Sequence, residues 1–278
     1  MRLVPIFVLL LATAAWAQSS PEQFLDRAGE NFVKGNYEQA VEDCTEAIRL
    51  NPSYVEAFYT RGTIYLIRGE RDRALKDYSE TIRLNPKFAD AYTNRGAAYE
   101  SKGDHDHAVA DFSEAIRLNP KDPRGFNGRG VAYNVMGAYE RAIQDFDQAI
   151  RLNPNFVDAF INRGAAYAGK GDHDHAVADF SEAIRLNPKD SRGFNGRGVA
   201  YNRMGSYDRA IQDFDQAISL NPNYGITFTN RCTAYLEKSE YRRAMEDCTE
   251  AIRLSPDVAM ALVFSNRRMS LERPESKG

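Results

Sequence analysis

Hydrophobic and small residues along the chain recur with the spacing of an α-helix, in short runs separated by glycine or proline. In residues 123–156 they repeat at spacings of four and three, first over 126–133 and again over 142–150. Gly137 separates the two runs, and Pro154 follows the second. Proline lacks an N–H donor and disfavours helix in the residue before it, so it ends the second run. The pattern predicts two helices joined by a short turn, an antiparallel hairpin.

This hairpin pattern is repeated along the chain with a period of 34 residues. The prolines that close the units are Pro52, Pro86, Pro120, Pro154, Pro188, Pro222 and Pro256. The seven units span 21–54, 55–88, 89–122, 123–156, 157–190, 191–224 and 225–258. No hairpin of this size can bury its apolar face alone, so we expect neighbours to stack into an all-α solenoid. One more helix over 259–271 is expected to cap the stack, ahead of a disordered tail at 272–278.

Small residues at fixed places predict how the two helices of a unit pack. Glycine inside a helix costs up to about 1 kcal/mol relative to alanine, so its recurrence indicates that a second backbone comes close. The glycines of the first helices are Gly62, Gly96, Gly130, Gly164 and Gly198. We expect them to face the second-helix alanines Ala74, Ala108, Ala142, Ala176 and Ala210, with aromatic residues filling wider gaps. The predicted N-caps of second helices include Asp104, Asp172 and Ser206.

Residues 1–17 differ in character from the repeats. Arg2 precedes an apolar run over 3–12, and small residues then lead up to Ala17. This pattern is typical of a secretory signal peptide that is cleaved after Ala17. The run is short for a transmembrane helix, although an uncleaved membrane anchor is an alternative. We therefore expect an exported protein, periplasmic or secreted, with no membrane insertion after signal cleavage.

The composition is that of a soluble protein with little net charge. Charged residues make up 27%, the net charge is −3 and the sequence pI is about 5.9. Nucleic-acid-binding modules usually show a concentrated basic surface. The charge balance therefore argues against a nucleic-acid partner.

All four histidines lie in one stretch, KGDHDHAVADFSEAIRLNPKD, which occurs at 102–122 and again at 170–190. Each copy contains Asp-His-Asp-His, a cluster that suggests a metal. However, His105 occupies the place that other units give to tyrosine, which indicates a packing role. Zinc needs about four converging ligands, and copies two hairpins apart cannot combine theirs. We expect scaffold rather than a metal site, and no cofactor; weak surface metal binding is the alternative.

Three cysteines remain to be placed. Cys44 lies most of a solenoid away from the others, so an internal bond to it is implausible. Cys232 and Cys248 share one hairpin and lie on facing helices, where a bond requires Cβ atoms about 3.8 Å apart. They form a possible disulfide, and buried free thiols are the alternative.

No arrangement of nucleophile and base is visible in the sequence. No serine or cysteine is placed beside a histidine. Aspartates recur at what we expect to be helix-surface places: Asp111, Asp145, Asp179 and Asp213. Recurrence in successive units favours scaffold over catalysis, so we expect no catalytic residue and no enzymatic activity.

One unit carries the whole set of repeated residues. Within 157–190 these are Phe160, Gly164, Tyr167, Ala176, Phe180, Ala183 and Pro188. The set and its 34-residue period resemble the tetratricopeptide repeat, and the likeness spans 21–258. The resemblance implies a right-handed superhelical solenoid whose first helices line a concave groove that holds a partner's peptide. Export together with repeats so close to the consensus resembles bacterial proteins of this type.

Several polar residues of the first helices are candidates for that groove. They are Tyr59, Asn94, Asn127, Asn162, Asn195, Asn230, Arg124, Arg192 and Arg203. Asparagine amides both donate and accept hydrogen bonds, which suits the backbone of an extended peptide. The asparagine series also resembles the ladder in the repeat scaffold of the O-linked N-acetylglucosamine transferase. The alternative is that these asparagines hold neighbouring helices together.

A second polar series recurs more strictly and favours packing or pairing between repeats. Its members are Arg61, Arg95, Arg129, Arg163, Arg197 and Arg231.

The expected function is a non-enzymatic scaffold that binds a protein or peptide partner in its groove. The alternative is a structural, self-associating protein whose terminal repeats stack copies together. The sequence does not name the partner, because amides recognise backbone more than side chains.

Overall fold

The computed structural model describes residues 20–255 as α-helices joined by short turns, with no strand in that range. The helices are α1 (Pro21–Val33), α2 (Tyr37–Leu50), α3 (Val55–Ile67), α4 (Arg71–Leu84), α5 (Ala89–Ser101), α6 (His105–Leu118), α7 (Pro123–Val135), α8 (Tyr139–Leu152), α9 (Val157–Lys170), α10 (His173–Leu186), α11 (Ser191–Arg203), α12 (Tyr207–Leu220), α13 (Gly225–Glu237) and α14 (Tyr241–Leu254). The predicted architecture of helical hairpins is therefore confirmed. The expectations for 1–17, 259–271 and 272–278 lie outside the described residues.

Side-chain caps start some of these helices. Ser20 accepts a hydrogen bond from the backbone N–H of Gln23, whose side chain accepts one from the N–H of Ser20. Asp104 and Asp172 cap α6 and α10 through backbone N–H groups, as predicted. Ser206 stands at the N-cap position of α12, as predicted, but its side chain makes no cap bond. Its backbone carbonyl accepts the first helical bond of α12, and its hydroxyl takes no part.

A residue with a left-handed backbone conformation forms the turn inside each hairpin of residues 20–255, and in all but the last hairpin it is glycine. The turn residue has a positive φ, between 74° and 89°, at Gly35, Gly69, Gly103, Gly137, Gly171 and Gly205. This left-handed conformation is free of steric cost only for glycine. In the last hairpin Ser239 adopts it, with φ of 61°. Each turn residue ends a first helix and reverses the chain into the second.

The chain divides within α7 into two compact units, one ending at Ala132 and the other beginning at Tyr133. In each unit a second helix packs against the first helix of its own hairpin and against that of the next hairpin. In the first unit α3 contacts α5, and in the second unit α11 contacts both α9 and α13. First helices of neighbouring hairpins are therefore adjacent. The surface they form in each unit is called the first-helix face below.

The recurring glycines of the first helices lie against aromatic rings. A Cβ atom on Gly164 would lie 3.1 Å from the ring of Phe180, and one on Gly198 would lie 2.6 Å from Phe214. The prediction that these glycines face the alanines is wrong in this respect. The second-helix alanines are fully buried, but the aromatic side chain one turn later fills the space beside Gly62, Gly96, Gly164 and Gly198.

The recurring second-helix aspartates are buried, so the prediction of helix-surface carboxylates is also wrong. Asp111, Asp145, Asp179 and Asp213 are at most 7% exposed. Arg163 donates to Asp179 from Nε over 2.8 Å and from Nη2 over 2.6 Å. Its Nη1 donates to Asp147 of the preceding hairpin over 2.6 Å. These bonds compensate the burial of charge and raise the pKa of Arg163.

The same two-point pairing recurs in other hairpins. It joins Arg61 to Asp77, Arg95 to Asp111, Arg197 to Asp213 and Arg231 to Asp247. The third guanidinium nitrogen reaches a hydroxyl or carboxylate of the preceding hairpin, such as Ser79 or Asp215. The arginine series therefore links helices within a repeat and between repeats.

Candidate functional site on the first helices

An amide pair joins two adjacent first helices in the second unit. The Nδ2 of Asn230 on α13 donates to the Oδ1 of Asn195 on α11 over 3.0 Å. Both side chains are half-buried. The pair uses one hydrogen of Asn230 and one lone pair of Asn195. The NH2 group of Asn195 and the oxygen of Asn230 have no further hydrogen-bond partner among residues 20–255.

An asparagine–tyrosine pair occupies the corresponding place in the first unit. Asn94 on α5 donates to the hydroxyl of Tyr59 on α3 over 3.0 Å. The Tyr59 ring packs against Phe88, with centroids 4.9 Å apart, and against Tyr78. Burial raises the pKa of Tyr59 above its ordinary value. Tyr59 therefore acts partly as a packing residue.

Asn94 and Asn230 thus join neighbouring first helices, which is the alternative that the sequence left open. Asn127 and Asn162 are also half-buried, and each makes contacts of its own. They stand at the same places in α7 and α9 as Asn195 in α11 and Asn230 in α13. The bond between Asn195 and Asn230 leaves amide groups unused, so joining helices and binding a partner are compatible roles.

Two candidate arginines are held by aspartates. Arg192 donates to Asp190 and, from Nη2 over 2.7 Å, to Asp158 on the preceding first helix. Arg124 pairs in the same way with Asp122 and Asp90. The bonds from Arg192 lower the pKa of Asp190. The positive charge of both arginines is therefore largely balanced inside the protein.

Sequence reasoning missed these acidic partners. Asp90 and Asp158 stand 34 residues before Arg124 and Arg192, at the same place of the preceding first helix. Opposite charges at equal places of adjacent repeats were the signal that could have revealed them.

Arg203 lies at the last position of α11 and is exposed. Of the arginines in residues 20–255, Arg203 and Arg242 make no hydrogen bond, ion pair or ring contact. In the other copy of the duplicated block this place is held by Val135. Arg203 is therefore the candidate arginine that is available to an external anion.

Small residues lie beside the polar candidates. Ala97 on α5 and Ala165 on α9 are exposed, each three residues after an asparagine of the series. Because they project little beyond the helix, an extended chain can approach the backbone of these helices.

The histidine clusters are held by their own neighbours. The Nδ1 of His107 lies 2.8 Å from the Asp104 carboxylate, and its ring stacks on Tyr99 with centroids 5.0 Å apart. His175 has the same relation to Asp172 and Tyr167. His105 and His173 are partly buried at the starts of α6 and α10. Within residues 20–255, no three His, Cys, Asp or Glu side chains are grouped as metal ligands.

The cysteines are divided between a disulfide and a buried thiol. Cys232 on α13 and Cys248 on α14 are joined by a disulfide, with Cα atoms 5.6 Å apart. Cys44 is fully buried beside Ala28 and is not bonded. Burial raises the pKa of Cys44 to about 12. A thiol with such a pKa stays protonated at neutral pH and is a poor nucleophile.

In the part of the chain that the structure describes, every helix is too short or too polar to cross a membrane.

These features define a helical-repeat protein built from stacked hairpins. A tetratricopeptide repeat model matches residues 89–122, 123–156, 157–190 and 191–224, and further models of this repeat match 62–103 and 34–54. The chain belongs to the tetratricopeptide repeat family. Proteins with this repeat are generally non-enzymatic scaffolds for protein or peptide partners. No curated protein matches the chain significantly.

Solved structures show the same fold. A tetratricopeptide repeat protein from Parabacteroides merdae is 24% identical, with a TM-score of 0.73 over 87% of this chain and 96% of that chain. The Cut9–Hcn1 assembly of the APC/C is 20% identical, with a TM-score of 0.74 over 88% of this chain and 48% of that chain. YrrB, a repeat protein with an unusual peptide-binding site, is 23% identical, with a TM-score of 0.51 over 68% and 97%.

Proposed function

We propose that this protein is a non-enzymatic scaffold that binds an extended segment of a partner protein on its first-helix face. The observation that carries the proposal is the Asn195–Asn230 pair, which keeps an amide donor and an amide acceptor unused. A peptide backbone presents a carbonyl and an N–H that complement these two groups. The unused groups therefore suit a backbone in extended conformation.

The surroundings of the amides also favour a peptide. Ala165 on the adjacent α9 is small and exposed, so it leaves room for a chain. Arg203 offers a charge that no carboxylate within residues 20–255 neutralises. The similar fold of YrrB carries a peptide-binding site in that protein. That site in a protein of similar fold supports a peptide as the partner proposed for this chain.

We also propose that the protein acts outside the cytoplasm, because the pattern of residues 1–17 is typical of a cleaved signal peptide. Mass spectrometry of the protein purified from its native cells tests this proposal. The expected N-terminus is Gln18; an intact Met1 on the mature protein would contradict it.

The alternative of end-to-end stacking has one feature in its favour. The last helix, α14, exposes Tyr241 and Met245, each 67% exposed, and Ile252. Their counterparts in earlier second helices lie where the next first helix packs, as Ile184 does beside Gly193. An apolar surface is therefore open at this end of the described chain.

The opposite end does not match that surface. The places on α1 that would meet a preceding repeat hold Gln23, Asp26 and Arg27, all exposed. We propose instead that the chain's own segment 259–271 covers α14. A chain ending at Ser255 should then self-associate more than the full chain in light scattering. Equal association of both chains would contradict this assignment, and concentration-dependent filaments of the full chain would favour stacking.

Affinity capture tests the proposed binding function. The bait is the mature protein, and the comparison is a variant with Asn94, Asn162 and Asn230 changed to alanine. A matched control changes three exposed second-helix arginines, each paired to a glutamate three residues before it, to alanine: Arg117, Arg185 and Arg253. We expect the asparagine variant to lose specific partners while the control keeps them. The proposal would be overturned if the asparagine variant captured the same partners as the unchanged protein while circular dichroism showed that both proteins are folded.

A further inference from the structure

The last hairpin differs from the others at the pair of places where its two helices meet. In repeats three, five and six a first-helix glycine faces a second-helix phenylalanine, as Gly198 faces Phe214. In the last repeat these two places hold Cys232 and Cys248, which form the disulfide. A covalent bond therefore stands where ring packing joins the helices elsewhere.

The last hairpin also has less support from its surroundings. The buried residues of α14 are Ala244, Asp247 and Ala251, all small or paired to α13. The second helices of repeats two to six add a buried aromatic ring, such as Phe214 at 0% exposure. Without the disulfide, α14 would have no buried aromatic side chain or covalent bond to hold it against α13. The disulfide therefore does for α13 and α14 what the glycine–phenylalanine contact does in the hairpins that have it.

The disulfide is close in sequence to the groups of the first-helix face. Asn230, which donates to Asn195, precedes Cys232 by two residues on α13. Arg231, between them, binds Asp247 on α14 and Asp215 on α12. Loosening α14 would release Asp247 from Arg231, and with it one of the contacts that fix α13.

We propose that the Cys232–Cys248 disulfide is a redox-sensitive lock on the last repeat, which holds α13 and its asparagine in place while oxidised. Release requires a dithiol reductant. Two thiol–disulfide exchanges break the S–S bond, leave Cys232 and Cys248 as thiols and convert the reductant to its own disulfide. Cys248 is partly exposed while Cys232 is 2% exposed, so the first attack falls on Cys248. Cys44 is buried in another repeat and takes no part.

The redox lock does not depend on the proposed peptide site. Only its consequence for partner binding through Asn230 rests on the proposed function. Hydrogen exchange followed by mass spectrometry therefore tests the lock without a partner. On reduction with dithiothreitol, amides of α13 and α14 should exchange at least about tenfold faster, while those of α9 and α10 stay unchanged.

A double variant supplies the matched control. Cys232→Gly with Cys248→Phe introduces the pair used by repeats three, five and six, so its exchange should not respond to dithiothreitol. The lock is overturned if reduction leaves α13 and α14 of the wild type unchanged. It is equally overturned if the double variant responds as strongly as the wild type, or if protein purified without reductant contains three alkylatable thiols. Loss of partner capture by the triple asparagine variant concerns the binding proposal alone.

Discussion

The amide of Asn230 donates to the amide of Asn195 across the boundary between two repeats, over 3.0 Å. The two residues are 35 positions apart, one more than the repeat length, so they do not stand at equivalent positions of their two repeats. Asn94 and Tyr59 show the same offset. The bond fixes the lateral alignment of α11 and α13 and leaves further amide groups for a partner.

This bond should be measurable as a coupling between the two asparagines. Asn195→Ala and Asn230→Ala should each lower the free energy of unfolding by about 0.5–1.5 kcal/mol. Because each single variant already breaks the bond, the double variant should lose less than the sum. Urea unfolding of the four proteins gives the coupling energy. Strict additivity would show that the bond does not form in solution.

Removing a buried charge partner should be far more costly. Arg163→Met leaves Asp179 buried without its main partner, so we expect a loss of about 3–5 kcal/mol in the free energy of unfolding. Changing Asp179 to leucine in the same protein should recover much of that loss. The control is Arg185→Met, whose exposed pair with Glu182 is screened by solvent and should contribute far less. If urea unfolding gave similar losses in the free energy of unfolding for Arg163→Met and Arg185→Met, burial would not be what makes the Arg163–Asp179 pair important.

Two glycine-to-alanine changes should have opposite signs. A Cβ on Gly196 would lie 2.4 Å from the buried ring of Phe180, so Gly196→Ala should destabilise the protein by about 1–3 kcal/mol. A Cβ on Gly29 in α1 would meet nothing within 4 Å. Gly29→Ala should stabilise by up to about 1 kcal/mol, because alanine favours the helix. Thermal and urea unfolding test both changes; destabilisation by Gly29→Ala would contradict the packing described.

Stability should fall in acid partly through Asp190. Its pKa is lowered in the folded protein by bonds from Arg192, so its contribution is present above the pKa of about 3.9 of an unfolded aspartate. That contribution is lost as the pH falls through the lower folded value. Asp190→Asn should therefore be less stable than the wild type at pH 7, with the gap narrowing below about pH 4. A gap that is constant from pH 7 to pH 2 would exclude this linkage.

Most of the fold could be predicted from the sequence because the repeat period fixes it. A residue such as Pro154 or Gly137 ends a helix by its own covalent properties, so each boundary follows from local chemistry. The partners of the aspartates could not be predicted in this way. Aspartate is usually exposed, so the residue type alone predicts a surface position for Asp179. Only its 16-residue offset from Arg163, which places the two residues on facing helices of the hairpin, identifies them as one buried pair.

The candidate site shows the same division. The residue types of the first-helix face were visible as a series of asparagines, but the state of each depends on a neighbour in another repeat. Arg192 is neutralised by Asp158, whereas Arg203, on the same helix, has no partner within residues 20–255. Helical periodicity indicates which residues share a face, but it does not indicate which of them form hydrogen bonds or ion pairs with one another.

The most direct test of the binding proposal observes the asparagine side chains themselves. Side-chain NH2 signals of the 15N-labelled protein are recorded by NMR with and without the captured partner. The account predicts that the signals of Asn195 and Asn230 shift, while those of Gln144 and Gln212, exposed on second helices, do not. Shifts confined to the glutamines, with Asn195 and Asn230 unchanged at saturating partner, would contradict it.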